Sequence, residues 1–309
     1  MPRSLELDRR VDQLVTRLEW RAPGAMTRSA VLTAVGRRGL ENAARRGRIV
    51  ALLPGVYVAA ACADSHAVRC EAVQAWSKGR VLIAGESALH LLDTRYPAPD
   101  TVRCLGPSSW NARAPAWVDL TRTRLPRVTS SRGGVRCLPA EAALLDAWAC
   151  APRWRRKDVL YRALWLRIAG PRRLIDAAKR RSRLPDRRVF DGIMGEFVTG
   201  ATSPTEVMAR REVFVGPEFA ELEWQVAMVV EGRDRTADAV HRSSRTVIEC
   251  DGEAYHGSRA GRRRDRERDT EFGSAGWHTV RFSFQDLSGR PAWCRRMLRL
   301  TIGARLAPR

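Results

Sequence analysis

The chain has 309 residues, which corresponds to two or three domains at about 100–200 residues per domain. Its 55 Lys and Arg residues outnumber its 34 Asp and Glu residues, so the formal net charge is +21. A hydrophobic fraction of 44% excludes wholesale disorder. The longest uncharged stretch, residues 49–63, has 15 residues and a Pro-Gly pair, which excludes a membrane span there. Charged residues at positions 6–10 predict no secretory signal peptide and hence a cytoplasmic protein.

The cysteines and the basic charge indicate the compartment and the partner. Seven scattered cysteines form no CxxC pair, which disfavours a disulfide framework or a structural zinc site and fits a reduced cytoplasm. Only three of the 55 cationic residues are lysine, a skew that codon bias in a GC-rich genome partly explains. A solvated arginine surface is therefore one interpretation. A charge of +21 also attracts polyanions by counterion release, so nucleic acid in the nucleoid is the leading class of partner.

The first 60 residues predict a winged helix-turn-helix domain. Residues 5–20 carry apolar side chains at helical spacing, and two further short helices are predicted over residues 27–46, separated by Gly36. Two apolar strands joined by a Pro-Gly turn follow at residues 48–60. Three helices and a β-hairpin are the plan of this DNA-binding fold.

Residues 61–195 predict a middle α/β domain without recognisable chemistry. The arginine-rich segment 171–185 is interpreted as a linker or a basic helix. Helices are predicted at residues 70–76, 86–92, 140–149 and 157–168, with strands at residues 101–105 and 134–138.

Residues 196–309 predict a third domain, in which a helix precedes three strands, a polar helix, a strand and a final helix. The predicted helices cover residues 204–213, 259–275 and 293–300, and the predicted strands cover residues 222–230, 236–241, 246–251 and 278–284. The fold class is therefore a multidomain mixture of α+β and α/β.

Three acids are expected on one face of this last sheet. If His241 faces Thr246 across a four-residue connection, Asp238 lies opposite Glu249, with Cβ atoms about 5 Å apart. Asp251 is two residues beyond Glu249 and points to the same face. Three neighbouring carboxylates repel one another unless a cation neutralises them, and Mg²⁺ or Mn²⁺ prefers such oxygen ligands. A bound ion of this kind activates water for phosphodiester hydrolysis.

Alternatives exist for each part of this site. A register shifted by one residue would put Asp238 on the other face and leave ordinary surface acids. His256 is near enough in sequence to act as a general base, although a lone histidine is more often structural. The arginine-rich helix that follows either contacts phosphates or is simply solvated. Its candidate DNA contacts are Arg262, Arg263 and Arg264.

The motifs of this region occur in an ordered set. They are Ser203-Pro204-Thr205-Glu206, Arg235-Thr236-Ala237-Asp238, Val247-Ile248-Glu249-Cys250-Asp251-Gly252, His256, Asp265-x-x-Arg268-Asp269 and Gly276-Trp277-x-x-Val280-Arg281-Phe282. The set, which covers about residues 203–300, resembles the DUF559 endonuclease-like domain. That domain is similar to very-short-patch mismatch repair endonucleases and belongs to the PD-(D/E)xK nuclease superfamily.

The resemblance implies a restriction-endonuclease-like αβββαβ core and a Mg²⁺- or Mn²⁺-dependent DNA endonuclease. By position, Asp238 and Glu249 would be metal ligands, and Asp251 would be a further ligand or a supporting acid. These three residues would also be catalytic, and the substrate would be double-stranded DNA.

Three other catalytic residues are carried over by the resemblance. Glu206 would be an accessory acid, His256 would assist proton transfer, and Arg281 would neutralise phosphate charge or orient an acid. The third position of the superfamily's E-x-K element is usually lysine, but in this chain it is Asp251. The sub-family that the chain resembles also has an acid at this position. The cation that usually positions the water is therefore absent, and His256 would have to substitute for it.

The N-terminal motifs carry a second resemblance. Met26-Thr27-Arg28, Gly36, Leu40, Gly47-Arg48-Ile49-Val50 and Pro54-Gly55-Val56-Tyr57-Val58 resemble the winged-helix domain of abortive-infection type IV antitoxins, over about residues 10–60. That family represses its own operon by binding DNA, whereas a protein-docking winged helix would leave its basic residues solvated. Candidate DNA contacts, on or near the expected recognition helix, are Arg28, Arg37, Arg38, Asn42, Arg45 and Arg46.

The sequence therefore predicts a Mg²⁺-dependent DNA endonuclease that acts in defence or DNA repair. The first alternative is a non-catalytic, antitoxin-like transcriptional regulator that binds DNA through the winged helix. The second is an RNA-directed nuclease or RNA-binding protein. No membrane partner is expected, while a homodimer or an operon-encoded partner protein is compatible with either resemblance. ATP- and NAD-dependent chemistry has no supporting motif.

Overall fold

The computed structural model describes residues 3–126, 128–198, 203–251 and 259–307. These residues contain twelve α-helices and three β-sheets, so the predicted mixture of helices and sheets is confirmed. No helix in the described ranges is both long and apolar enough to cross a membrane. Two compact units are present: unit 1 comprises the chain up to residue 152 with residues 176–182, and unit 2 comprises the remainder. The predicted domain boundaries after residues 60 and 195 stay predictions.

Unit 1 begins with helices around a small sheet of strand order β1-β3-β2. The Thr27 hydroxyl accepts a hydrogen bond from the Ala30 amide and begins the second helix, as the sequence predicts. Gly36 has a φ of 71° and divides that helix in two, which is also predicted. The elements are α1 (Arg3–Trp20), β1 (Ala25–Thr27), α2 (Arg28–Arg45), β2 (Ile49–Leu53) and β3 (Val56–Ala59).

The rest of unit 1 contains a five-stranded sheet of strand order β6-β5-β4-β8-β7. Its predicted helices and its two predicted strands are present, whereas β4, β6 and β7 were not predicted. The elements are α3 (His66–Trp76), β4 (Leu82–Ile83), α4 (Gly85–Leu92), β5 (Val102–Gly106), β6 (Val118–Arg122), β7 (Ser130–Arg132), β8 (Val135–Cys137) and α5 (Ala140–Cys150).

A buried ion-pair cluster lies within unit 1. The Arg103 guanidinium donates to Asp146 at 2.6 Å and to Asp119 at 2.7 Å. Gly85 has a φ of 52°, and a Cβ at this position would lie 2.8 Å from the Arg103 side chain. The close approach of the arginine therefore requires glycine there.

Unit 2 and the boundary helix α7 contain the remaining elements. The segment predicted as a linker or a basic helix forms a helix at residues 171–179, and the predicted helix at 204–213 ends early in a π-helical turn, Ala209–Val213. The elements are α6 (Arg156–Trp165), α7 (Pro171–Lys179), α8 (Arg187–Val198), α9 (Pro204–Met208), β9 (Glu223–Val230), β10 (Arg233–His241), β11 (Thr246–Asp251), α10 (Arg259–Ser274), β12 (His278–Ser283), α11 (Phe284–Gly289) and α12 (Pro291–Leu306).

The four-stranded sheet of unit 2 has the order β12-β11-β10-β9. The strands β9, β10 and β11 are successively antiparallel, whereas β12 is parallel to β11. Phe272 of α10 is fully buried in the core of this sheet. The valines packed with it are Val226, Val230, Val240 and Val247.

Candidate functional site

The pairing of β10 with β11 has the predicted register. His241 faces Thr246, and the next two pairs keep the same register. Continued by one step, this register places Asp238 across from Glu249. The Asp238 carboxylate accepts a hydrogen bond from the Cys250 amide at 2.7 Å, which joins the two strands beside this position. Asp238 and Glu249 therefore belong on the same face of the sheet.

The same row of residues extends across all four strands. Glu249 pairs with Arg281 of β12. On the other side, the β9–β10 pairs that flank Asp238 place Gln225 of β9 opposite it. Gln225, Asp238, Glu249 and Arg281 are called the cross-strand row below. It puts two acids between an amide and a guanidinium.

Both acids of the cross-strand row hold protons unusually tightly. Burial raises the pKa of Asp238 to about 6; the Cys250 amide opposes this rise, whereas the nearby Glu206 carboxylate adds to it. Burial and then the charge of Asp238 raise the pKa of Glu249 to about 7, against the opposing effects of Arg268 and Arg281. A bound cation would favour the ionised forms of both acids.

One oxygen of Glu249 lacks a hydrogen bond. The side chain of Glu249 is 8% exposed, and its Oε1 lies 3.0 Å from the Arg268 guanidinium as an ion pair. Among the described residues this buried Oε1 nevertheless has no hydrogen-bond partner, because the pair is poorly aligned. An acceptor without a donor in a buried position is a place where a ligand can bind.

Arg281 connects the row to two further acids. Its guanidinium donates to Asp251 at 3.3 Å and to Asp269 of α10 at 2.8 Å. Asp251 is 52% exposed at the end of β11. The arginine predicted to orient an acid thus contacts Asp251, while Asp251 itself is the most solvated of the three predicted ligands.

Glu206 lies beside the row from α9. It is 6% exposed, and its backbone amide donates to the Ser203 hydroxyl at 3.1 Å, which begins the helix. Its Oε2 accepts a hydrogen bond from Gln225 Nε2 at 2.7 Å. Because Gln225 lies across from Asp238 in the β9–β10 register, this bond puts Glu206 at the Asp238 end of the row, and the charge of Glu206 contributes to the raised pKa of Asp238.

Three residues of this site were absent from the predicted set: Gln225, Arg268 and Asp269. Extending the register from β10 to β9 would have identified Gln225. Arg268 and Asp269 stand in the recognised Asp265-x-x-Arg268-Asp269 motif, but were given no role. His256 lies outside the described residues, as do the side chains of Arg262, Arg263 and Arg264 on α10.

The predicted DNA-contact residues of unit 1 differ in whether their side chains are already bound to an acidic residue. Arg37 is paired with Glu41 at 2.9 Å, while Arg46 and Asn42 donate to Asp8 at 3.3 and 3.4 Å. Arg28, Arg38 and Arg45 are exposed and have no ion-pair partner within the described part of the chain.

The acids of the row fit a hard divalent cation. Residues 3–126, 128–198, 203–251 and 259–307 contain no group of three or more His, Cys, Asp or Glu residues that could hold a metal ion. Mg²⁺ needs only one or two protein carboxylates when water and substrate phosphate supply its other ligands. Asp238 and Glu249 could supply that pair, because one buried Glu249 oxygen lacks a hydrogen bond among the described residues and a cation would favour the ionised forms of both acids.

Sequence comparisons give no relative for this chain. No model of a known protein family matches it, and no curated protein matches its sequence. Its function must be inferred from its own residues.

Proposed function

We propose that the protein is a DNA endonuclease that hydrolyses phosphodiester bonds with Mg²⁺ or Mn²⁺. The observation that carries this proposal is the cross-strand row, where Asp238 and Glu249 share a face, have raised pKa values and include a buried oxygen that lacks a hydrogen bond among the described residues. A net charge of +21 suits a polyanionic substrate.

The order of elements in unit 2 also supports the proposal. The succession α9, β9, β10, β11, α10, β12 is the αβββαβ order expected from the resemblance to DUF559 endonuclease-like domains. The two main acids lie on the second and third strands, where that resemblance expects the metal ligands.

Each residue of the row then has a role. Asp238 and Glu249 would hold the ion, which when bound supplies an activated water and stabilises charge on the phosphate. Arg281, which pairs with Asp251 and Asp269, would neutralise a phosphate oxygen of the substrate. Glu206 adds a buried carboxylate beside Asp238. His256 remains the proposed proton-transfer residue.

DNA binding is assigned to the N-terminal part of unit 1 as well. The order α1, β1, α2, β2, β3, with the break at Gly36, agrees with the winged helix expected from the antitoxin resemblance. The exposed Arg38 and Arg45 on the second half of α2 are available to contact bases or phosphates.

The test is a plasmid-nicking assay with Mg²⁺ or Mn²⁺. We expect wild-type protein to nick the plasmid, EDTA to stop it, and Asp238→Asn and Glu249→Gln to remove the activity. The matched control is Glu223→Gln, because Glu223 is an exposed acid on the same sheet whose ion pair is with the surface residue Arg242. Cleavage that survives both site substitutions would refute the proposed site.

The exposed arginines of α2 favour a second candidate, the non-catalytic transcriptional regulator. It takes over if wild-type protein binds duplex DNA but cuts no duplex DNA, single strand or RNA with either metal. Cleavage of RNA alone would instead favour the RNA-directed nuclease.

A further inference from the structure

Gln225 has an unusual backbone for a strand residue. Its φ is +54°, in the left-handed region that residues other than glycine rarely adopt. The β9–β10 ladder is intact on both sides, with Ala237 facing Val226 and Ala239 facing Trp224, but Gln225 and Asp238 do not pair. Strained backbone that persists inside a regular ladder is typical of functional sites.

The side chain of Gln225 has a specific contact. Its Nε2 donates to Glu206 Oε2 at 2.7 Å, and this bond connects β9 to the buried acid of α9. Since the β9–β10 register places Gln225 across from Asp238, this hydrogen bond holds the Glu206 carboxylate at the Asp238 end of the row. The charge of Glu206 also contributes to the raised pKa of Asp238.

We propose that Gln225 is a positioning residue that holds Glu206 beside Asp238 and thereby sets the affinity of the row for a divalent cation. This inference rests on the proposed function. A carboxylate fixed beside Asp238 strengthens the negative potential that attracts the ion, whereas a carboxylate free to turn into solvent does not. The left-handed backbone of Gln225 is the conformation in which its amide reaches Glu206.

A glycine substitution at position 225 separates the effect of the backbone conformation from the effect of the side chain. Gln225→Gly suits the positive φ and removes the side chain with its amide, so the backbone conformation is kept while the contact with Glu206 is lost; the melting temperature shows whether the fold is kept. Gln225→Asn keeps an amide and tolerates the left-handed region. Glu231→Gly is the matched control, since Glu231 is exposed in the β9–β10 connection and has a φ of +49°.

Mn²⁺ binding is measured by isothermal titration, and DNA cleavage is measured against Mn²⁺ concentration. We expect Gln225→Gly to weaken Mn²⁺ binding by about tenfold, within the range seen when the residues supporting metal ligands are removed. The KM for DNA should stay at the wild-type value, and the melting temperature should not fall. Gln225→Asn should recover part of the affinity, and Glu231→Gly should match wild type.

A double-mutant cycle with Glu206→Gln tests whether the effect passes through Glu206. Coupled residues give non-additive effects, so Gln225→Gly should add nothing in the Glu206→Gln background. Additive effects, or wild-type Mn²⁺ affinity in Gln225→Gly, would overturn the inference. If wild type cuts DNA and Gln225→Gly matches it, this inference alone fails. If wild type binds no divalent cation, the proposed function fails as well.

Discussion

Two clusters of acids and arginines lie on sheets of this molecule, one in each unit, and they differ in how their charges are satisfied. In unit 1, Arg103 is 14% exposed and bonds both Asp146 and Asp119. Burial there opposes the charged guanidinium and is the largest single effect, but the hydrogen bonds and charge of Asp146, together with the hydrogen bond to Asp119 and the Cys150 thiol, raise the pKa of Arg103 overall. The cluster is a paired structural element.

The cross-strand row of unit 2 uses the same residue types with a different result. Its acids keep raised pKa values despite the neighbouring Arg268 and Arg281, and one buried oxygen stays without a hydrogen bond. Proteins pair nearly all buried polar groups, so each exception needs an explanation, and a buried acid with a raised pKa beside it makes a binding role a candidate. Incomplete hydrogen bonding at Glu249, rather than charge itself, distinguishes the cross-strand row from the ion-pair cluster of unit 1.

The largest expected effect is loss of cleavage in Glu249→Gln. Removing one ligand of the proposed ion should lower the cleavage rate on the order of 10³-fold, since metal stabilisation of the developing charge contributes several kcal/mol. The rate is measured by plasmid nicking, and circular dichroism should show an unchanged fold. A variant that cuts as fast as wild type would make the row a structural cluster like the one in unit 1.

The converse substitution is Arg103→Leu in unit 1. It leaves Asp146 buried without its partner, and breaking a buried pair in this way costs about 3–5 kcal/mol of unfolding free energy. The change is measured by urea unfolding, and cleavage below the unfolding transition should stay at the wild-type rate. A destabilisation below about 1 kcal/mol would show that the cluster is less important to the fold than its pairing indicates.

The sequence predicted the β10–β11 register because a short connection fixes which residues face each other. Alternation then placed Asp238 and Glu249 on one face. Gln225 was not predicted because the register was not extended from β10 to β9; its positive φ, in contrast, is a feature that no periodicity reveals. The burial that raises the pKa values of the acids depends on packing between elements distant in sequence.

Several of the helices and strands that were not predicted from the sequence are too short to show a periodicity of apolar and polar residues. Strand β4 has only two residues, Leu82 and Ile83, which cannot show alternation. The predicted strand at residues 278–284 ran one residue too far, and α11 was not predicted. A capping box formed by Ser283 and Asp286 begins that helix, and its Ser-x-x-Asp spacing was a usable signal in the sequence.

The pH dependence of stability is the next effect in size. The pKa of Glu249 is raised from 4.5 to about 7, so between these values the folded protein binds more protons than the unfolded chain. Its contribution to the free energy of unfolding therefore falls as the pH rises from 4.5 to 7. In metal-free buffer, Glu249→Gln should gain stability over wild type progressively across this window, and the gain should reach about 3 kcal/mol by pH 8, at about 1.4 kcal/mol per pKa unit.

Denaturant unfolding at several pH values measures this gain. Addition of Mn²⁺ should stabilise wild type at pH 8 and leave the variant unchanged, because the ion favours the ionised carboxylates. Asp119→Asn in unit 1 is the control, since Asp119 is paired with Arg103 and half exposed. A gain that is independent of pH would mean that Glu249 is ionised in the folded protein at all these values.

The smallest expected effect is on the salt dependence of DNA binding by the surface of unit 1. Arg38 has no ion-pair partner within the described part of the chain, whereas Arg37 is paired with Glu41 on the same helix. Each phosphate contact that is lost reduces the slope of log K against log salt concentration by about 1. Arg38→Ala should therefore reduce this slope by about 1 for duplex DNA, as measured by fluorescence anisotropy across a salt series. Arg37→Ala should reduce it less, because its charge is already partly neutralised by Glu41. Equal slopes in both variants and wild type would place the DNA contacts away from α2, and would leave its unpaired arginines as solvated surface.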